Sequence, residues 1–389
     1  MSRLTGLISC NYRLNELQNL VVSRPVASVP FGGRYRLLDF TMSSMVNSGI
    51  RSVGVITPPN NRSILDHLGA GKEWALDRKS GGLFIMPGAH RALLPRNNKF
   101  SLKDIRMNIE FLENETADVI VVSACNYVYN MDFSDMLKQH MEQGSDVTLL
   151  CKAYRTQALN QLQQAKQNLV VVDEEKRVWG MLAPEAMKDE HMEQQSFFES
   201  DFREDLRIFC DIFLISRRLL LHMARAYEDA EYADIMDVIG ENIRQLKVGC
   251  YMYDGYIEPV YSLDNYFDLN MALLDTRITG ELFTADRPVK TKIKDNPPAR
   301  FSGEGRAIRS LLSSGCQIHG RVENSILSRE VKVEPGAVIR NSIIMQKCII
   351  GSYAVLDHVI LDKMGNINSG TVLNGQRDAL IVQGKAAVI

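Results

Sequence analysis

VKVEPGAVIRNSIIMQKCIIGSYAVLDHVILDKMGNINSGTVLN, residues Val331–Asn374, decides the fold of the end of the chain. An aliphatic side chain falls at every sixth position: Val331, Ala337, Ile343, Ile349, Val355, Leu361, Ile367 and Leu373. In a chain that is 45% hydrophobic, composition alone does not produce such a run. Strict alternation would mark an ordinary half-buried sheet. A six-residue spacing instead fits a coil in which each short strand turns one side chain inward per triangular face, so that stacked coils bury one apolar column. Gly336, Gly351, Gly365, Asn368, Ser369, Gly370 and Gly375 supply the tight bends. The expectation is a parallel β-helix over residues 306–389.

Upstream, Pro288, Pro297 and Pro298 mark Asp286–Arg300 as a linker, set at residues 286–305. A chain of 389 residues is too long for one ordinary core, which leaves residues 1–285 as a domain of their own. There Val53–Ile56 and Ala117–Ser123 are continuous apolar runs suited to a parallel sheet covered on both faces. Between them Leu102, Ile105, Ile109 and Leu112 fall at helical spacing and predict an amphipathic crossover helix. Strand–helix–strand alternation gives an open α/β mixed sheet, whose ligands sit beyond the carboxyl ends of the strands. The Met and aromatic residues of Met223–Tyr232 read as helix core packing, and His319 and His358 as exposed coil edges.

The chain is 24% charged with a net charge of -2, which gives no electrostatic footprint for nucleic acid or an anionic membrane. Its seven Cys are scattered and odd in number, without zinc or disulfide spacing, and its seven His do not cluster. With no signal peptide or long apolar span, a reducing, cytoplasmic compartment is expected.

The segment PFGGRYRLLDF, Pro30–Phe40, is followed by Asn47, Ser48, Gly49 and Ile50, then by Tyr129, Met131 and Asp132. Gly255, Tyr256, Asp264 and Tyr266 continue the pattern, which ends in Asp362, Lys363 and Gly370. Over nearly its whole length the chain resembles the bacterial glucose-1-phosphate adenylyltransferases, or ADP-glucose pyrophosphorylases. That resemblance implies a nucleotidyltransferase-type, Rossmann-like α/β domain, a left-handed hexapeptide β-helix and a tetramer. It also implies a reaction that joins glucose 1-phosphate to ATP with magnesium, releasing pyrophosphate and ADP-glucose for glycogen synthesis.

Such a transfer needs a glycine turn whose N–H groups approach the triphosphate, carboxylates on Mg²⁺, and cations against the phosphates. The family's GGxGxRL loop aligns with Asn11, Tyr12, Arg13, Leu14, Asn15, Glu16 and Leu17, so every glycine is gone. Tyr12 and Leu14 add bulk and Glu16 adds an anion; each lost charge-assisted hydrogen bond is worth about 1.5–3 kcal/mol. The family's metal-binding aspartate, in GDHxYxMD, aligns with Asn126. A second carboxylate, from a DFGKD-like motif anchored on Asp237, falls on Ala233, and a one-residue shift would place Asp234 there. The two phosphate lysines fall on Val26 and Ala183, and adenine-pocket glutamines on Ala89 and His90.

Arg36 matches a basic position that contacts anionic effectors in related enzymes, with a plain salt bridge as the alternative. Arg34 and Arg24 are retained beside Asp39 and complete the candidate effector residues, although pinning the loop is their alternative role. Ser23 and Pro30 replace other effector cations. The leading expectation is a regulatory, catalytically silent subunit that binds no cofactor, working in a heterotetramer with a Mg²⁺-dependent catalytic partner and answering an anionic sugar-phosphate effector. A homo-oligomer alone is the other assembly considered. A second reading is a nucleotide-sugar enzyme whose metal site is rebuilt from Asp132, Asp234 and Glu258. A third is a β-helix acyltransferase, disfavoured by a short array and unplaced histidines.

Overall fold

The computed structural model describes residues 4–90, 99–155, 163–173, 177–183, 205–227 and 233–389. Two compact units result, and neither is one stretch of chain. The first comprises Met1–Arg13, Phe40–Pro259 and Ala285–Val289; the second comprises Leu14–Asp39, Val260–Thr284 and Lys290–Ile389.

In the first unit, Leu4–Ser9 lies between Val119–Ala124 and Ser52–Thr57, parallel to both, and Gly82–Pro87 extends the parallel set at one edge. Beyond Val119–Ala124 the long strand Asp205–Ser216 runs antiparallel and pairs in turn with Val147–Arg155 and Leu169–Val172. Val178–Leu182 beside Leu169–Val172 and Val248–Met252 beside Val147–Arg155 complete one nine-stranded mixed sheet. Of the runs read from sequence as buried strands, Val53–Ile56 falls within Ser52–Thr57, and Ala117–Ser123 overlaps Val119–Ala124 but begins two residues before it; both strands are buried throughout. The expected crossover helix is broken into Leu102–Met107 and Ile109–Asn114. Asn108 leaves helical geometry between them, and its Nδ2 donates to the Asp104 and Pro87 carbonyls at 2.8 and 2.9 Å. An asparagine that bonds nearby backbone in this way competes with helix continuation. Met223 is buried on the helix Arg217–Ala226, and residues 228–232 lie outside the described ones.

The second unit contains a left-handed parallel β-helix with three five-stranded faces, beginning at Arg300–Phe301, ahead of the boundary expected at residue 306. Val322, Ile339, Leu356 and Leu373 pair in successive coils, each 17 residues on from the last. Three steps of six overshoot that coil by one residue, so a strict six-residue register drifts off the interior. Ile349 is accordingly 45% exposed, and its neighbour Ile350 is the buried one; Val355 likewise yields its place to Leu356. Val331, Ala337, Leu361 and Ile367 do lie in the interior cluster. The coil corners at Asn324, Asn341 and His358 hold φ of 44°, 45° and 51°, where asparagine and histidine are better tolerated than most side chains. His358 and His319 are half-buried at coil edges, bonded to Asp357 and Ser302 respectively.

The PFGG motif forms a hairpin, Pro30–Phe31 against Tyr35–Arg36, in the second unit. Gly33, at φ 75°, sits where an added Cβ would approach Ser313 Oγ to 2.8 Å. Gly32 N donates to Asn270 Oδ1 at 2.9 Å, and Tyr266 OH donates to the Pro30 carbonyl at 2.6 Å. Among the described residues, no helix is long and apolar enough to cross a membrane.

Candidate functional site

Ser9 and Ala124 are paired at the carboxyl ends of the central parallel strands, so the residues that follow face the crevice where such sheets bind ligands. Those residues are filled by one another. Asn11 is fully buried, and its Nδ2 donates to the Asp104 carboxylate at 2.9 and 3.0 Å and to the Ala89 carbonyl at 3.1 Å. A Cβ at Gly88 would lie 2.2 Å from Asn11 Nδ2, so the amide occupies the surface of that turn. Tyr12 OH donates to Asn126 Oδ1 at 2.8 Å and accepts from Cys125 N at 3.1 Å. Burial pushes the phenol well above its ordinary pKa, which keeps it a donor. The oxygen of Asn126 is thereby engaged by a neutral hydroxyl.

The carboxylates considered for a rebuilt metal site do not converge. Asp132 caps Ser134, accepting from its N at 2.8 Å and Oγ at 2.7 Å. Asp234 is buried at the start of the helix Ile235–Glu241 and accepts from Met236 N and Phe100 N at 2.9 and 2.8 Å. Burial raises its carboxyl to about 6, with those two N–H groups pulling it back. Glu258 accepts from Lys152 Nζ at 2.8 Å and Tyr154 OH at 3.2 Å. Among the described residues no three His, Cys, Asp or Glu side chains are grouped to hold a metal. The residues present do not fit Mg²⁺.

Ala233 uses its carbonyl to accept from Leu102 N at 3.0 Å, and Ala183 is exposed at the end of a described stretch. Val26 is buried and Glu16 exposed, both in the second unit, so the aligned loop Asn11–Leu17 divides between the two units. Sequence reading missed Asp211. It holds φ 51° at a bulge in Asp205–Ser216, accepts from Tyr127 OH at 2.9 Å, and pairs with Lys99. Gln167 Nε2 extends this network to Tyr127 OH at 2.7 Å. The available signal was one aspartate inside the apolar run Ile208–Ile215.

The retained cations lie in the second unit and have separate surroundings. Arg24 is 4% exposed and bonds Asp362, which is fully buried, at 2.6 Å; Lys363 N donates to the other Asp362 oxygen at 2.7 Å. Arg36 donates from its backbone N to Asp39 at 2.9 Å and from its guanidinium to Ser28 Oγ at 3.4 Å. Arg34 is exposed and lies 5.2 Å over the Tyr35 ring, which stacks on Phe283. Arg34, Lys294 and Arg329 share a cleft of about 410 Å³ with Gly32, Phe283 and Ser313. Burial, and then Arg34, lower the Arg329 guanidinium, as expected where like charges share a cleft. Ser313 Oγ is buried with no partner among the described residues.

A family model for nucleotidyl transferases matches residues 15–172, and one for GlmU-like C-terminal hexapeptides matches residues 297–379. The Glycogen biosynthesis protein GlgD of Bacillus subtilis strain 168 is 31% identical over 388 residues, covering 100% of this chain and 97% of that protein. The chain belongs to the GlgD family. The GlgD of Geobacillus stearothermophilus is 34% identical over 338 residues, 87% of this chain and 83% of its own. A glucose-1-phosphate adenylyltransferase of Fervidobacterium nodosum is 27% identical over 370 residues, 95% of this chain and 85% of its own. The first unit of this GlgD-family chain is thus a nucleotidyltransferase fold, with Asn11, Tyr12 and Asn126 buried and hydrogen-bonded beyond the carboxyl ends of its central strands.

Lys363 carries a pH signature. Burial, then Arg36 and Arg24, hold its ammonium down to about 7 from the usual 10.5, with Asp362 pulling the other way. The unfolded chain binds that proton more readily, so unfolding takes up a proton between about pH 7 and 10.5 and stability rises with pH across that window. The penalty is complete below it. Lys363→Met should therefore stabilise the protein at pH 7 by about 1–2 kcal/mol and flatten the dependence of Tm on pH between 7 and 9.5. A Tm profile parallel to the wild type would reject this account of Lys363.

Proposed function

We propose that this chain is a regulatory, catalytically silent subunit of glucose-1-phosphate adenylyltransferase in glycogen biosynthesis, assembled with a catalytic partner in a heterotetramer. The single observation that carries the reading is Tyr12 OH on Asn126 Oδ1, at 2.8 Å, in the centre of the crevice. That bond ties together the bulky replacement in the phosphate loop and the lost metal carboxylate. Val26 and Ala183, at the two lysine positions, remove the charges that a triphosphate and a sugar phosphate would need. ATP, glucose 1-phosphate and Mg²⁺ then belong to the partner's site.

The chain's own contribution is to bias the assembly. A silent subunit shifts a two-state tetramer only by contacting its active and inactive forms with different free energies. The cations of the second unit support an anionic effector as the input. Arg34, with Lys294 and Arg329, surrounds a cleft that also offers the buried Ser313 hydroxyl, a donor suited to a carboxylate or phosphate oxygen. Arg36, half-buried near Lys363, is the other candidate contact, whereas Arg24 is engaged by Asp362. The β-helix faces offer the surface for assembly.

The test is to purify the chain, alone and co-expressed with a catalytic subunit of the same family, and to follow pyrophosphate release. Co-elution is expected, with background release by the chain alone and a changed turnover or effector response in the mixture. Full activity of the chain alone, or a partner that neither co-elutes nor changes, overturns the reading.

A further inference from the structure

We propose that the cleft at the amino ends of the parallel strands is a second small-molecule site, built for a nucleoside phosphate. The cleft has a volume of about 920 Å³ and is bordered by the starts of Leu4–Ser9, Ser52–Thr57 and Gly82–Pro87. It lies at the opposite end of the sheet from Asn11 and Asn126, and its size is within the range of about 300–1,000 Å³ usual for ligand pockets.

One wall is aromatic. Phe84, on the edge strand, is 41% exposed, and its ring lies 5.2 Å from that of Phe111 at 57°. Gly54 makes this wall possible, because an added Cβ would meet Phe111 Cε1 at 2.9 Å. The opposite wall is basic. Gly82 N donates to the Arg51 carbonyl at 2.8 Å, and a Cβ at Gly81 would approach that carbonyl to 2.6 Å. The glycine turn therefore brings the loop carrying Arg78 and Lys79 against Arg51. All three cations are exposed, and none is ion-paired with another described residue. On the floor, the Glu115 carboxylate accepts from Thr5 Oγ1 at 2.7 Å and from Ser52 Oγ, and retains lone pairs for a further hydroxyl.

Three like charges around one cleft call for a multiply charged anion. A bare phosphate would leave the phenyl wall unused, and a neutral sugar would leave the cations unused. A nucleoside phosphate uses all three features: base against Phe84, ribose hydroxyl on Glu115, phosphates between Arg51, Arg78 and Lys79. This site is independent of whether the chain regulates a partner, since it lies in the first unit and concerns the chain alone.

Titration calorimetry of the full chain at low salt, without magnesium, with ATP, adenosine and tripolyphosphate, tests it. ATP is expected to bind in saturable fashion, and Arg78→Ala/Lys79→Ala to weaken it by about tenfold or more. Phe84→Ala should weaken ATP and leave tripolyphosphate unchanged, while Arg34→Ala and Lys363→Ala leave ATP unchanged. Absence of ATP binding overturns the proposal. So does ATP binding that survives the Arg78/Lys79 change but falls with Arg34→Ala or Lys363→Ala. Tripolyphosphate binding as tight as ATP, with no effect of Phe84→Ala, would leave a polyanion site and overturn the nucleoside assignment.

Discussion

Arg24→Ala should lower the stability of the protein by about 3–5 kcal/mol, a large change for a substitution that removes a charged side chain. The reason is where the charge lies. Arg24 is 4% exposed and Asp362 fully buried, so truncating the arginine leaves a carboxylate in the interior whose one remaining hydrogen bond among the described residues is from Lys363 N at 2.7 Å. A surface pair of similar geometry would contribute about 0–1 kcal/mol. One control separates charge from packing. Arg24→Met/Asp362→Leu removes both charges at nearly constant volume, and should be less destabilised than Arg24→Ala, although it carries two changes. Arg24 is also one of the cations holding the Lys363 ammonium down, so Arg24→Ala should raise that pKa above about 7. Urea unfolding gives the first two quantities and the pH dependence of Tm gives the third. A loss below about 1 kcal/mol would show that water reaches the pair and that Arg24 is free to serve an effector.

The β-helix was legible because its physics is periodic: an inward side chain recurs, and corners need small or left-handed-tolerant residues. Its register was not, because the coil is 17 residues and the missing residue is absorbed at a corner, which no spacing count locates. Ile349 and Ile350 show the consequence, identical side chains with opposite fates. That Asn11–Leu17 carries no glycine, and that position 126 is an asparagine, was equally plain in the chain. What those side chains reach was not. That Tyr12 reaches Asn126, or that Asn11 is held by Asp104, depends on strands brought together from residues 90 or more apart in sequence. Asp211 was hidden for the same reason, since its partners Lys99 and Tyr127 are distant in the chain. The split of the chain into interleaved units likewise follows from long-range packing, which local patterns do not encode.

Removing the plug should cost stability and return no chemistry. Tyr12→Phe deletes only the hydroxyl, yet it strips Asn126 Oδ1 of a donor at 2.8 Å and Cys125 N of an acceptor at 3.1 Å, all in the interior. The expected loss is about 1–3 kcal/mol. Tyr12→Ala adds a cavity where a buried ring stood, and should lose about 3–5 kcal/mol. Asn126→Asp restores the family's carboxylate, but in a position only 2% exposed. Burial would raise the pKa of the new aspartate, so the folded state would hold its proton more tightly than the unfolded chain. The variant should then match the wild type near pH 4 and lose stability as the pH rises toward 7. Neither it nor Tyr12→Gly/Asn126→Asp should release pyrophosphate from ATP and glucose 1-phosphate above background. Asn11 would still fill the turn at Gly88, and Val26 and Ala183 would still leave the phosphates unneutralised. Denaturant unfolding across pH and a coupled pyrophosphate assay read the two halves separately. Recovery of turnover in the double variant would mean that Tyr12 alone silences an otherwise competent site, and the chain would have to be regarded as a gated enzyme.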